Sequence, residues 1–419
     1  MHENKKNNLE GMLVDTWWYG LTHRMTEENF KKFAQLRVDQ GFTAIQLVVG
    51  VPPEIGPNNK NAGSIVGPAW DMSGKFNDNY LKLAKKRIAF LNRIGLSVIV
   101  YGAWGYQINW LGTKKMLEWW EKLIDTLDEL NVIYCITGEV DIYIGKERIL
   151  LPDKTTTDLT KNKITLLLRR MFHPLVINIL KRIQEKTLLS VIKNNKRRYE
   201  ERKKNWGYIL KNISKKTKKP IIVHPTEKTG FDSIGNPYLL SANTAQTGHN
   251  QKARRNLWML PLERTIRNER FINLEPWYEG ILDDFWQEDQ LFAYWTSMLA
   301  GASSFCYGAH GIWNVGDGYF LAQWGTQTFE EAIKLKTPEL LGKSHKEFLH
   351  FKEELEETFF YEDNDELLFI GRKGDKKEVY FFPEINKIKD IPDGLIWLPS
   401  KGIYHNQIPK RGQVVIFRN

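Results

Sequence analysis

Two glutamates end short apolar segments of this 419-residue sequence. Glu139 ends a segment that begins at Val132, and Glu275 ends one that begins at Phe271. A pair of carboxyl groups can hydrolyse a glycosidic bond, because one protonates the leaving oxygen while the other attacks the anomeric carbon or activates water. Either glutamate could instead cap a helix or pair with a lysine. As a pair, they are our candidate catalytic residues.

Aromatic and polar residues recur at the ends of similar apolar segments. Flat aromatic rings pack on the apolar faces of sugars, and Asp, Gln and His side chains form hydrogen bonds with sugar hydroxyls. Glu279 is a reserve nucleophile. The candidate substrate-binding residues are Asp15, Trp17, Trp18, Trp104, Asp141, His224, Gln246, His249, Trp277, Tyr278, Glu279, Tyr307, His310 and Trp313.

Histidines in this set raise the alternative of a metal-dependent hydrolase. Imidazole and carboxylate groups are ordinary zinc ligands, but His224, His249 and His310 form no His-x-His or His-x-x-x-His pair. We therefore expect hydroxyl-binding or structural histidines, and neither a metal nor another cofactor. Cys135 and Cys306 lie within apolar segments, which indicates packing residues rather than nucleophiles.

Eight short apolar segments alternate with helical patterns, which is typical of βα units around a parallel sheet. This pattern predicts an α/β fold of the TIM barrel type, with the active site at the C-terminal ends of the strands. A doubly wound sheet is the alternative, but no glycine-rich phosphate-binding motif follows the first strand. The predicted strands are 11–17, 44–50, 97–104, 132–139, 220–225, 243–249, 271–276 and 303–311.

The pattern changes near the C-terminus. A last helical stretch at about 328–357 is followed by four short strand patterns with turn residues between them. We predict a catalytic barrel over residues 1–358 and a small antiparallel, β-sandwich-like domain over 359–419. A domain of about sixty residues buries little core by itself, so we expect it to pack on the barrel.

The net charge of +10 comes from one segment. Residues 143–220 contain 22 Lys and Arg against 6 Asp and Glu, a net +16, and the rest of the chain carries −6. We predict a basic helical insertion at about 143–205, after the fourth strand. Its first helix, near 164–183, is amphipathic and basic. A second helix with Trp206 and Ile213 would be the barrel helix before the fifth strand.

The insertion allows several partners. A basic amphipathic helix can lie on an anionic membrane or contact a polyanion. Most amphipathic helices pack on a core, so we favour packing and expect no nucleic-acid partner. Beside Glu139, the positive charge of the insertion could also favour acidic sugars.

The first residues of the sequence, its apolar runs and its cysteines bear on the cellular compartment of the protein. No apolar run reaches the about 18 residues of a membrane span, and the first residues lack the apolar centre of a signal peptide. Two cysteines cannot form a disulfide framework. We expect a cytoplasmic protein, or a secreted one if a leader has been removed.

The sequence resembles the apiosidase-like (DUF4038) glycoside hydrolases from about residue 10 to 340. The shared motifs, in order, are Asp15-Thr16-Trp17-Trp18, Gly138-Glu139, His224-Pro225-Thr226, Gln246-Thr247-Gly248-His249, Glu275-Pro276-Trp277-Tyr278-Glu279 and Tyr307-Gly308-Ala309-His310-Gly311-Ile312-Trp313. The resemblance implies a retaining TIM-barrel enzyme with Glu139 as acid/base and Glu275 as nucleophile. Some members have Asp at the position of Glu139, so the resemblance leaves the sugar open.

These observations predict a glycoside hydrolase that cleaves a terminal bond of a plant- or microbe-derived glycan, with an oligosaccharide or glycoside as its partner. Two alternatives come from other functional classes. One is a carbohydrate-binding protein that keeps the aromatic cleft without turnover. The other is a membrane- or polyanion-associated protein that acts through the basic insertion.

Overall fold

Eight parallel strands form the barrel of this protein, in a computed structural model that describes residues 9–142, 196–226 and 229–419. The strands are β1 (Leu13–Trp17), β2 (Ala44–Val48), β3 (Ser97–Tyr101), β4 (Val132–Cys135), β5 (Ile221–Ile222), β6 (Asn243–Gln246), β7 (Phe271–Glu275) and β8 (Ser304–Tyr307). Their order is β5-β4-β3-β2-β1-β8-β7-β6. The Ser241 N–H, just before β6, donates to the Ile221 carbonyl of β5 at 2.8 Å, so the barrel is nearly closed. The TIM barrel is confirmed, and the doubly wound alternative is wrong.

Helices follow the strands around the outside of the barrel. They are α1 (Glu27–Asp39), α2 (Asp78–Arg93), α3 (Ile108–Leu127), α4 (Lys196–Lys216), α5 (Gly230–Ser233), α6 (Asn256–Ile266), α7 (Gln287–Leu299), α8 (Phe329–Ala332) and α9 (Thr337–Lys352). Thr26 caps the start of α1, because its hydroxyl accepts from the Asn29 N–H at 3.1 Å, and Gly41 after the helix takes a φ of +84°. Across the described ranges, no helix is long and apolar enough to cross a membrane.

Helix α4 is the barrel helix before β5, as expected. Trp206, Leu210 and Ile213 are fully buried, whereas Tyr208 on the opposite face is exposed. Its described part runs from Lys196 to Lys216 and so includes the end of the basic stretch. The guanidinium of the buried Arg202 donates to the Ile142 carbonyl at 2.7 Å and ties this helix to the segment after β4. The basic helix expected near 164–183 lies outside the described residues.

The C-terminal region forms a separate antiparallel sheet of six strands. These are β9 (Glu357–Asp363), β10 (Glu366–Lys373), β11 (Glu378–Phe382), β12 (Leu395–Leu398), β13 (Ile403–His405) and β14 (Val414–Arg418), in the order β13-β12-β14-β11-β10-β9. The sequence did not indicate β9 or β13. Strand β9 continues an apparent helical pattern without a break, and β13 has three exposed residues that show no buried face.

The sheet is one layer in the described part of the chain, not the sandwich-like pair of layers that we expected. The barrel helices take the place of a second sheet. Trp295 of α7 packs on Phe381 and Phe417 with ring centroids 6.4 and 6.0 Å away, and Phe351 of α9 packs on Phe417 at 4.6 Å. The indole N–H of Trp258 in α6 also donates to Glu362 of β9 at 3.0 Å.

Candidate active site

A cavity with an accessible volume of about 100 Å³ lies at the C-terminal ends of the barrel strands, where this fold places active sites. Both candidate catalytic glutamates line it, together with six of the candidate binding residues. Five further lining residues were not among the candidates from the sequence: Pro53, Glu54, Ile142, Ile281 and Trp324. The lining consists of Trp18, Pro53, Glu54, Trp104, Glu139, Ile142, Gln246, His249, Glu275, Tyr278, Ile281, Trp313 and Trp324.

Glu139 is held against the wall of the cavity by an indole ring. The Trp104 Nε1–H donates to Glu139 Oε2 at 2.7 Å. A Cβ at Gly138 would lie 2.5 Å from that ring, so only glycine allows the ring to approach. Glu139 itself has a φ of +43°, a conformation that residues with side chains rarely adopt and that tends to occur at functional sites.

The surroundings of Glu139 favour its protonated form. Burial raises the pKa of Glu139 well above its ordinary value, and the negative charges of Glu275 and Glu54 raise this pKa further. Hydrogen bonds from Trp104 and Gln246 act in the opposite direction without reversing the shift. A carboxyl group that keeps its proton near neutral pH can serve as a general acid.

Glu275 receives two hydrogen bonds on the same oxygen. Gln246 lies beside it on β6, where the register shifts between Ala245 and Gln246, and its Nε2–H donates to Glu275 Oε1 at 2.8 Å. His249 Nε2 lies 2.9 Å from Oε1. The Tyr278 N–H donates to His249 Nδ1 at 3.2 Å, which assigns the imidazole proton to Nε2 and makes this nitrogen the donor.

These contacts favour the ionised form of Glu275. Burial acts to raise the pKa of Glu275, but the hydrogen bond from His249 and the electrostatic influence of the His249 and His224 rings lower this pKa below its ordinary value. The His224 ring lies behind the cavity, fully buried, with Nε2 at 3.7 Å from Glu275 Oε2. The two carboxyl groups on one cavity thus titrate in opposite directions, as an acid and a nucleophile require.

Aromatic rings form much of the remaining wall. Trp18 meets Trp104 edge to face, with ring centroids 5.3 Å apart. Tyr278 lies against Gly308, where a Cβ would be 2.4 Å from the ring. Trp313 and Trp324 come from the segment after β8. Such faces suit the apolar side of a sugar ring.

Asp15 and Trp17 lie away from the cavity lining, although they belong to the first motif. Asp15 is fully buried and accepts from the guanidinium of Arg37 at 2.6 Å and from the indole of Trp17 at 2.7 Å. Trp17 stacks on Phe33 of α1 at 4.8 Å. The structure therefore gives both residues contacts with the fold rather than with the cavity.

Glu279, the reserve nucleophile, also lies away from the cavity lining. Its carboxylate accepts from the Tyr307 hydroxyl at 2.6 Å and from the Thr337 hydroxyl at 2.7 Å. Burial raises the pKa of Glu279 to about 6. Tyr307 is fully buried in this network, so it too is separate from the cavity.

Three other candidates support the cavity from outside its lining. Asp141 accepts from the Thr226 N–H at 2.7 Å and joins the segments after β4 and β5. Trp277 stacks on Phe285 at 4.8 Å. His310 meets the Trp313 ring edge to face at 5.6 Å.

The lining residues that sequence reasoning missed all come from loops. Ile142, Ile281 and Trp324 follow strands β4, β7 and β8 by several residues, where no periodic pattern exists. Pro53 and Glu54 belong to the Pro/Gly/Asn-rich segment after β2, whose path only the structure gives. Their position after a strand was the one available signal.

Both cysteines are buried, away from the cavity lining. Burial raises the pKa of the Cys135 and Cys306 thiols, which makes thiolate chemistry unfavourable. Within the ranges that the structure describes, no group of three or more His, Cys, Asp or Glu residues is arranged to hold a metal ion.

Comparisons with known proteins agree with the fold. A crystal structure of a glycoside hydrolase family 5 protein from Bacteroides vulgatus matches with a TM-score of 0.67 and 14% identity, over 97% of this chain and 89% of that one. A second structure, titled glycoside hydrolase, matches with a TM-score of 0.67 and 13% identity, over 97% and 92% of the two chains. These likenesses concern the fold alone. No curated protein sequence matches this chain.

The sequence itself matches a family model. The family is described as "Apiosidase-like, catalytic domain", and the match covers residues 7–346, which is nearly the whole barrel. The chain therefore belongs to the apiosidase-like catalytic domain family and is a glycoside hydrolase.

Proposed function

We propose that this protein is a retaining glycosidase that releases a terminal sugar, with Glu275 as the nucleophile and Glu139 as the acid/base. The observation that carries this proposal is the opposite titration of two carboxyl groups on one cavity. Contacts with His249 and Gln246 favour an ionised Glu275, whereas burial favours a protonated Glu139. Retaining glycosidases need this division of protonation states before the first step.

In the first step, a carboxylate oxygen of Glu275 attacks the anomeric carbon while Glu139 gives its proton to the departing oxygen. The described hydrogen-bond donors, Gln246 and His249, both bind Oε1, so Oε2 is the oxygen we assign to the attack. The glycosidic bond breaks, and a covalent glycosyl-enzyme forms. In the second step, ionised Glu139 removes a proton from water. That water attacks the anomeric carbon and releases Glu275.

The cavity supports a terminal sugar as the group transferred. Its accessible volume of about 100 Å³ is small, which favours a single terminal sugar over a longer segment of a glycan. Trp18, Trp104 and Trp313 offer aromatic surfaces. In the described part of the chain, Trp313 Nε1 and Gln246 Oε1 have no hydrogen-bond partner, so each could bind a sugar hydroxyl. The family description makes apiose the first sugar to test.

The experiment is a panel of 4-nitrophenyl glycosides, including apioside, arabinofuranoside and pyranoside substrates, followed by rescue with azide. With a cleaved substrate, we expect Glu275→Ala plus azide to give a glycosyl azide of inverted configuration. Glu139→Ala plus azide should give the retained configuration. Proton NMR of the products distinguishes them.

Two outcomes would contradict the proposal. A first-formed sugar of inverted configuration from the unchanged enzyme would exclude double displacement. Tight sugar binding without turnover by the unchanged protein would instead favour a carbohydrate-binding role.

A further inference from the structure

A third carboxylate lies in the active-site cavity and has no part in the mechanism above. Glu54 lines the same cavity as Glu139 and Glu275, although it comes from the segment after β2. Only 9% of its surface is exposed, so its position is set by the protein rather than by solvent. Its negative charge is among the causes that raise the pKa of Glu139, which indicates that the two groups are close.

The backbone at Glu54 is held in an unfavourable conformation. Its φ is +70°, where glycine or asparagine would fit with less strain. Such conformations persist where the surroundings fix them, and they concentrate at functional sites. Keeping glutamate at this position therefore points to a use for its carboxylate.

Neighbouring residues fix this part of the loop. The Glu54 N–H donates to the Tyr106 hydroxyl at 3.2 Å, and the Tyr19 hydroxyl donates to the Pro53 carbonyl. Gln107 Nε2–H donates to the Val51 carbonyl at 2.9 Å. All of these contacts are buried, so the carboxylate of Glu54 is carried by a rigid segment.

The described lining of the cavity contains three carboxyl groups and neither lysine nor arginine. Such a lining offers acceptors for sugar hydroxyls and repels a second carboxylate. This is opposite to the preference for acidic sugars that the basic insertion suggested.

We propose that Glu54 determines the specificity of the glycosidase proposed above. Its carboxylate binds hydroxyl groups of the sugar that lies beside the catalytic pair, and it disfavours sugars that carry a carboxylate of their own. The proposal rests on the proposed function, but it concerns binding and can be tested without turnover.

The test compares two probes of similar shape and opposite charge. Isofagomine is a sugar-shaped cation near neutral pH, and glucuronate is a sugar-shaped anion. Binding of each is measured by calorimetry to the full chain and to Glu54→Asn, because asparagine tolerates the same φ and removes the charge. Asp365→Asn is the matched control, since Asp365 has a φ of +65° in the C-terminal sheet.

We expect the unchanged protein to bind the cation and to prefer it over glucuronate. Glu54→Asn should weaken binding of the cation by about tenfold and reduce the preference, whereas Asp365→Asn should change neither. Equal binding by Glu54→Asn and the unchanged protein would overturn the proposal. So would a preference of the unchanged protein for glucuronate, or no binding of either probe at millimolar concentration.

A merely structural role is recognised by a different result. If Glu54 had only a structural role, Glu54→Asn would weaken the binding of both probes equally and lower the melting temperature of the protein. Failure of the proposed function is separate, because Glu54-dependent binding without hydrolysis of any glycoside would contradict the glycosidase mechanism and leave the binding role of Glu54 in place.

Discussion

Two glutamates four residues apart, Glu275 and Glu279, have opposite environments in this protein. Glu275 lines the cavity, and contacts with His249 and Gln246 favour its ionised form. Glu279 lies between β8 and α9, where two hydroxyl groups donate to it and burial raises its pKa to about 6. Both side chains are buried, so burial alone does not distinguish a candidate catalytic carboxylate from a structural one.

The hydrogen-bond partners of the two carboxyl groups account for their different ionisation. A donor that can carry positive charge stabilises a carboxylate, whereas hydroxyl donors in an apolar region only partly compensate for lost water. The comparison extends to Asp15, which neutralises the buried Arg37 outside the cavity. Asp15 and Trp17 of the first sequence motif thus serve the fold, whereas Trp18 of the same motif lines the cavity together with residues of the later motifs.

The largest expected effect separates the two glutamates directly. Glu275→Gln should lower kcat by about four orders of magnitude, because the amide cannot attack the anomeric carbon. Glu279→Gln, its matched control, should leave kcat nearly unchanged. Steady-state kinetics on the best substrate of the panel measures both. A comparable loss of kcat in the two variants would show that Glu279 is as important for catalysis as Glu275.

The next effect concerns stability rather than activity. Asp15→Ala leaves the guanidinium of Arg37 buried without its carboxylate, so we expect the free energy of unfolding to fall by about 3–5 kcal/mol. Urea denaturation followed by tryptophan fluorescence measures the change. The folded fraction should keep its KM, since Asp15 does not line the cavity. A higher KM with unchanged stability would instead indicate that Asp15 binds the substrate.

A smaller effect depends on pH. The folded pKa of Glu279, about 6, lies above its ordinary value of 4.5, so the folded state holds the proton more tightly. Its contribution to stability is therefore fully present below pH 4.5 and is lost as the pH rises through 6, with a total of about 2 kcal/mol. Urea denaturation at several pH values should show this loss in the unchanged protein and not in Glu279→Gln. If the free energy of unfolding depended on pH in the same way in both proteins, Glu279 would not be the group responsible.

The smallest expected effect concerns the ionisation of Glu275. Its ionised form is needed for attack, so activity rises with pH through its pKa. His249→Ala removes a hydrogen bond that lowers this pKa, and the acidic limb of kcat/KM should move up by about one pH unit. Trp313→Phe is the control, because it changes the cavity wall without touching Glu275. An unmoved limb would mean that His249 does not set the ionisation of Glu275.

Much of the fold could be predicted from the sequence. All eight barrel strands were predicted near their observed positions, and most of them are continuous apolar segments, as strands buried on both faces tend to be. Strands β9 and β13 were missed because neither has a continuous buried run. The single layer of the C-terminal sheet was also missed, since its covering surface is supplied by α7 and α9, which lie elsewhere in the chain.

The candidate site was predictable in part. Glu139 and Glu275 could be proposed because they end the predicted strands, and the strand ends of a barrel converge. Glu54 could not, because its approach to the cavity depends on a positive φ within an irregular loop. Asp15 and Glu279 carry the right chemistry at strand ends, yet their side chains reach Arg37, Tyr307 and Thr337 rather than the cavity.

The sequence by itself determined the periodic features of this protein: eight βα units, a β-rich C-terminal region, and the family to which the barrel belongs. These follow from local patterns of apolar residues and from short motifs, which are readable along the chain. Only the tertiary structure decided which carboxyl groups share one cavity and which partners surround each of them. Charge and hydrogen bonding act through space, between residues such as Gln246 and Glu275 that folding makes neighbours.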